Sequence, residues 1–125
     1  PQSEFLKVDM NIDQLIEVVS HSHRDLFPVL GNDNRLLGII YIDDIREILF
    51  RKEQYPQITV KELMKKPRGI VDIRDSMPNV MEKFEKTHEH VLPVTDLGVF
   101  KGVVFKADVF TGYRNNLIRQ AQELS

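Results

Sequence analysis

The chain has 125 residues, with 17 Lys and Arg against 19 Asp and Glu, a net charge of −2 and no cysteine. That balance provides no basic field for collecting nucleic acid, and the missing thiols exclude a disulfide framework and thiolate chemistry. The longest nearly continuous apolar run, Leu36 to Ile42, falls far short of the roughly 18 residues that mark a membrane span, so this piece reads as a soluble, cytosolic one. It begins at Pro1 without a charged-then-apolar leader and is expected to be a segment of something longer.

In chain order, Leu6 to Val8 predicts a short strand. Ile12, Leu15, Ile16 and Val19 follow the spacing of a one-sided helix, with Asn11 and Gln14 placed to cap its start. A second strand, Leu26 to Leu30, leads through the turn residues Gly31-Asn32-Asp33-Asn34 into a third, Leu36 to Ile42. A helix is then expected from near Asp44, with Ile45, Ile48 and Leu49 facing inward. The polar stretch from Arg51 to Gln57 contains the break Tyr55-Pro56. Thr59-Val60-Lys61-Glu62 opens a short helix with a capping-box pattern, closed by Lys65-Lys66-Pro67.

The series then repeats. Ile70 to Ile73 predicts a strand, and Met77, Val80, Met81 and Phe84 predict a helix behind Ser76, with Pro78 in the first turn where its missing N–H costs nothing. Val91 to Thr95, the turn Asp96-Leu97-Gly98 and Phe100 to Phe105 form the second hairpin. A helix follows from near Asp108, with Val109, Phe110 and Tyr113 inward. Leu117, Ala121 and Leu124 form a narrow apolar stripe, expected as a terminal helix packed on the domain; a partner-facing helix is the alternative.

Leu26-Phe27-Pro28-Val29 thus recurs as Val91-Leu92-Pro93-Val94, with the prolines 65 residues apart, and Gly38 to Asp44 recurs as Gly102 to Asp108. This internal duplication divides the chain into residues 1–58 and 59–125, each a β-α-β-β-α unit of an α+β fold.

The paired Pro-Val strands, hairpins and Gly-hydrophobic-hydrophobic-x-x-x-Asp endings resemble tandem cystathionine-β-synthase-type (CBS) domains, the regulatory Bateman module. The resemblance implies two repeats packed through their sheets with pseudo-twofold symmetry, clefts that take AMP, ADP or ATP as regulatory ligands, homodimerisation and no catalysis. Asp44 to Phe50, Val60 to Met64 and Phe110 to Arg114 further resemble the cytoplasmic C-terminal regions of bacterial ClC-type chloride channels and transporters. That likeness implies a module at the cytoplasmic face of the membrane, joined to a transmembrane anion channel domain of the same polypeptide. A nucleotide-sensing subunit of a soluble enzyme and a purely structural dimerisation module with blocked clefts are the competing readings.

In the family, the strand-to-helix turn carries a Ser or Thr and an Asp that reach phosphate and ribose. Asp44 and Asp108 take the carboxylate position, whose competing reading is helix capping. The hydroxyl position holds Tyr41 and Phe105 instead. These rings either fill the clefts with apolar mass or stack on a base. Leu26, Phe27, Ile70, Val91 and Leu92 are candidate walls whose default role is core, and Pro28 and Pro93 stiffen the strand entrances beside the cleft. Lys106 is the leading phosphate partner, with Arg46, Arg24 and Arg68 as further cations. His21-Ser22-His23 and His88-Glu89-His90 have a spacing that can present two imidazoles to zinc, but polar connections usually leave such rings solvated, and no metal is assigned. No catalytic motif is present: there is no phosphate loop, no nucleophile elbow and no His-Glu-x-x-His.

Overall fold

A computed structural model describes residues 4–124, with side chains as far as residue 122. The chain divides into two compact units, Pro1–Pro67 and Arg68–Ser125. The first holds β1 (Leu6–Lys7), α1 (Ile12–Ser20), β2 (Leu26–Leu30), β3 (Leu36–Tyr41), α2 (Ile42–Phe50) and α3 (Val60–Leu63). The second holds β4 (Val71–Asp72), α4 (Met77–Thr87), β5 (Val91–Asp96), β6 (Val99–Phe105) and α5 (Lys106–Leu124).

Each unit builds one three-stranded mixed sheet, ordered β1-β2-β3 or β4-β5-β6, with its first pair parallel and its second antiparallel. The registers match. Pro28 stands opposite Ile39 and Pro93 opposite Val103, and even the ladder irregularity recurs, between Val29 and Leu30 and between Val94 and Thr95. The helices start as their sequences require. Asn11 accepts from the Gln14 N–H at 2.8 Å while the Gln14 side chain accepts from the Asn11 N–H at 2.9 Å, a closed capping box. Ser76 accepts from the Asn79 N–H at 3.3 Å, with Pro78 in the first turn of α4.

The division falls after Pro67, not between residues 58 and 59. The reason is local bonding: α3 hangs on the start of the first unit, with the Val60 N–H donating to the Met10 carbonyl at 2.9 Å. The strand-like residue Lys65 then exchanges two 2.8 Å hydrogen bonds with Ile39 on the outer edge of β3. Residues 59–67 therefore belong with the first unit, Lys65 forming an isolated bridge to its sheet.

Several boundaries also move. Strand β3 ends at Tyr41 and α2 begins at Ile42, while α5 begins at Lys106, two residues ahead of the expected starts at Asp44 and Asp108. The last rung of each hairpin doubles as the first helical residue: the Ile42 N–H donates to the Asp25 carbonyl and the Lys106 N–H to the His90 carbonyl, both at 2.9 Å. Strands β1 and β4 are only two residues long, and Ile70 and Ile73 are 38% and 53% exposed beyond the ends of β4. The terminal stripe is no separate packed helix. It is the far end of the 19-residue α5, where Leu117 and Ile118 are about half exposed and Ala121 is exposed; the Leu124 side chain lies outside the described residues.

The core of the first unit gathers Leu6, Leu15, Phe27, Val29, Ile40 and Ile45 with residues of α3, and that of the second gathers Val71, Val80, Phe84, Leu92 and Val109. Both put one helical stripe on the inner face of a sheet, the arrangement that buries most apolar surface for so short a chain.

Candidate functional site

The duplication supplies two equivalent strand-to-helix turns, and their chemistry differs. In the first, Tyr41 is 5% exposed and Ile42 is also buried, and of the two only Ile42 belongs to the core cluster of the unit. Acidic groups surround this turn. Asp25 lends its carbonyl to Ile42, Asp43 pairs with Arg46 at 2.7 Å, and Asp44 lies 3.8 Å from Lys65.

In the second turn Phe105 is 44% exposed, and Lys106 replaces Ile42. Here the fold leaves an open cavity of about 470 Å³ lined by His90, Phe105, Lys106, Ala107 and Phe110. The Lys106 ammonium lies 5.6 Å from the centre of the Phe110 ring, within range of a cation–π contact. The cavity sits where the first backbone N–H groups of α5 lack intrahelical partners, which favours negative charge nearby.

Asp44 and Asp108 stand at the third helical residue of α2 and α5, so neither is the capping residue. A carboxylate in the first turn still complements the helix dipole. Leu26, Phe27 and Leu92 are at most 2% exposed; Phe27 and Leu92 belong to the two cores. Pro28 and Pro93 are fully buried in their strands, Val91 is half-buried, and Ile70 faces outward.

Among the cations, Arg24 meets Glu4 at 3.4 Å, Arg68 meets Glu89 at 3.4 Å and Arg46 meets Asp43. Lys106 instead borders the cavity. His90 and Phe110 join it there, and sequence patterning alone did not group them; the signal was the repeat offset, which places His90 opposite Asp25 beside the turn. Among the described residues no group of three or more His, Cys, Asp or Glu is placed to hold a metal ion. His21 is bound locally through Nδ1 to the Glu17 carbonyl at 2.8 Å.

A second hollow, about 260 Å³, opens between α1 and α2. Ile16, Val19, Ile42, Leu49 and Phe50 line it with Ser20 and Arg46, and Phe50 is 80% exposed. Its lining is mostly apolar, and its one cation, Arg46, is paired with Asp43 at 2.7 Å.

Comparison with known proteins agrees with this architecture. Among solved structures, a CBS domain-containing protein of unknown function from Bacillus anthracis superposes with a TM-score of 0.75 at 18% identity, covering 89% of this chain and 83% of its own. CBSX2, solved in complex with AMP, superposes with a TM-score of 0.72 at 18% identity, covering 89% and 87%. Residues 2–51 match the family model of the CBS domain. The chain has the fold of CBS domains, and residues 2–51 are similar to that family's sequence model.

By sequence, the chain is 26% identical over 111 residues to the magnesium and cobalt efflux protein CorC of Buchnera aphidicola, a match covering 87% of this chain and 38% of that protein. The chain spans well under half the length of the curated relatives it matches.

Proposed function

We propose that the chain is a non-catalytic regulatory module of an ion-transport protein, binding an adenine nucleotide at the cytoplasmic face of the membrane and passing its occupancy to the transport domain. The observation that carries this reading is the open cavity at the second strand-to-helix turn, on a fold that CBSX2 shares and with which that protein was solved bound to AMP. A ligand shifts such a module only by its different affinity for two arrangements, commonly about 1–3 kcal/mol of coupling.

The transport partner is read at two levels. Segments 44–50, 60–64 and 110–114 favour a ClC-type chloride channel or transporter, whereas the likeness to CorC favours divalent-metal efflux. The described residues contain no helix long and apolar enough to cross a membrane, so the transport domain is assigned to a different part of the polypeptide. Reconstituting the full polypeptide in vesicles and following chloride and cobalt efflux with and without AMP separates the two. Nucleotide-dependent chloride flux supports the ClC reading, nucleotide-dependent cobalt flux the CorC-like one, and the absence of both points to a soluble-enzyme regulator.

We also assign a homodimer to the module. Its support is the hollow between α1 and α2, with Phe50 exposing a whole ring beside it, a surface that costs free energy in water. Sedimentation equilibrium should give a dimer that Phe50→Asp converts to monomer. A wild type that stays monomeric at high micromolar concentration defeats the assignment.

Nucleotide binding itself is read by thermal melts with AMP, ADP and ATP. Ligand at a hundred times its dissociation constant adds about 2.7 kcal/mol when only the native state binds. No shift with any of the three would favour the structural module with blocked clefts.

A further inference from the structure

Resting on the nucleotide-binding reading above, we infer that the two repeats are not equivalent sites: each chain binds one nucleotide, at the second turn only, between the Phe105 ring and the Lys106 and His90 side chains. Four paired differences carry this. Where the second repeat has a ring 44% exposed at Phe105, the first has Tyr41 at 5%, already packed among protein atoms. Where the second has the ammonium of Lys106, the first has the buried Ile42. Where the second has His90 at the hairpin's last rung, the first has Asp25, with Asp43 following the turn where the second has Ala107.

A nucleotide needs an apolar plane for its base and positive charge for its phosphate. The second turn offers both in one cavity of about 470 Å³. The first offers a buried ring, and the cations beside it are already paired, Arg46 with Asp43 at 2.7 Å and Lys65 with Asp44 at 3.8 Å. Among the described residues Lys106 has no carboxylate beside it and rests over Phe110, so turning it to a phosphate breaks no ion pair.

Titration calorimetry of the intact chain with AMP tests this. The expected result is one AMP per chain, with affinity reduced about tenfold or more by Lys106→Ala and by Phe105→Ala. Asp44→Asn, at the first turn, should leave affinity within about twofold. Phe105→Leu keeps the apolar bulk but removes the ring plane, and should also weaken binding if stacking rather than folding is lost. Two AMP per chain, or affinity indifferent to Lys106→Ala, overturns the single-site inference while leaving nucleotide binding in place. No heat with AMP, ADP or ATP from a chain that still melts cooperatively overturns both.

Discussion

A Cβ built on Gly38 would lie 2.9 Å from the Met64 sulfur and 3.1 Å from the Lys65 carbonyl oxygen, the same oxygen that accepts from the Ile39 N–H. A sulfur at the end of a flexible side chain can yield, but a carbonyl in a two-bond bridge cannot. Its counterpart Gly102 has no atom within 4 Å of such a Cβ, yet its φ of +143° is one that side chains rarely adopt. Gly38→Ala should therefore cost about 1–3 kcal/mol through overpacking, and Gly102→Ala a similar amount through backbone strain. Urea denaturation of a double-mutant cycle with Met64→Ala separates the causes: coupling appears for Gly38→Ala and vanishes for Gly102→Ala. Equal coupling at both positions contradicts the account.

Asp75 gives the same scale a pH dependence. Its carboxylate accepts from the Lys83 ammonium at 2.7 Å and from the Asp72 N–H at 2.9 Å, and these two bonds, Lys83 first, hold its pKa below the usual carboxylate range against the opposing effect of burial. With the folded pKa depressed, the unfolded chain takes up its proton first as pH falls. The stabilisation is complete above the unfolded value of about 3.9 and drains away as pH drops through the folded one. Urea midpoints recorded from about pH 6 down to pH 3 should fall more steeply in the wild type than in Asp75→Asn. Parallel curves would show that this carboxylate does not carry the effect.

At the scale of the elements, that ion pair sits on a frame with a different solution in the other repeat. Asp75 and Lys83 correspond to Met10 and Val18, both half-buried against the first core. The loop before each first helix is thus tied down by charge in one unit and by apolar contact in the other. Lys83→Val alone strands a partly buried carboxylate and should cost about 1–3 kcal/mol, whereas Asp75→Met with Lys83→Val should recover most of that loss. If the pair of changes is as costly as the single one by thermal melting, the repeats do not share this solution.

The helices and hairpins were legible because a 3.6-residue apolar period, paired with Asn11 or Ser76 as a cap, leaves one consistent reading. The strand-to-helix boundaries were not. An Asp in the first turn looks like an Asp at the cap, and Ile42 continues the apolar run of β3 while already helical. The opposed fates of Tyr41 and Phe105 were equally hidden, since two aromatic rings stand at one repeat position and the repeat pattern carries no signal for which of them is enclosed.

Across the whole molecule the two units are unequally provisioned. Among the described residues the core cluster of the first contains nine buried apolar side chains and that of the second five, while each fully buried large side chain contributes about 1.5–3 kcal/mol. The first unit also has its β3 edge bridged by Lys65, while its partner unit carries the open cavity. Local opening is drawn from the region with fewer buried apolar contacts, so amides of β5 and β6 should exchange with solvent faster than those of β2 and β3. A ligand held by the second unit then acts where the free-energy gap is smallest. Saturating AMP should slow exchange at β5, β6 and the start of α5 well before it slows β2 and β3, by up to the roughly hundredfold that ligand at a hundred times its dissociation constant allows. Uniform slowing across both sheets would mean that the units open together, and the unequal cores would then have no bearing on where the proposed nucleotide acts.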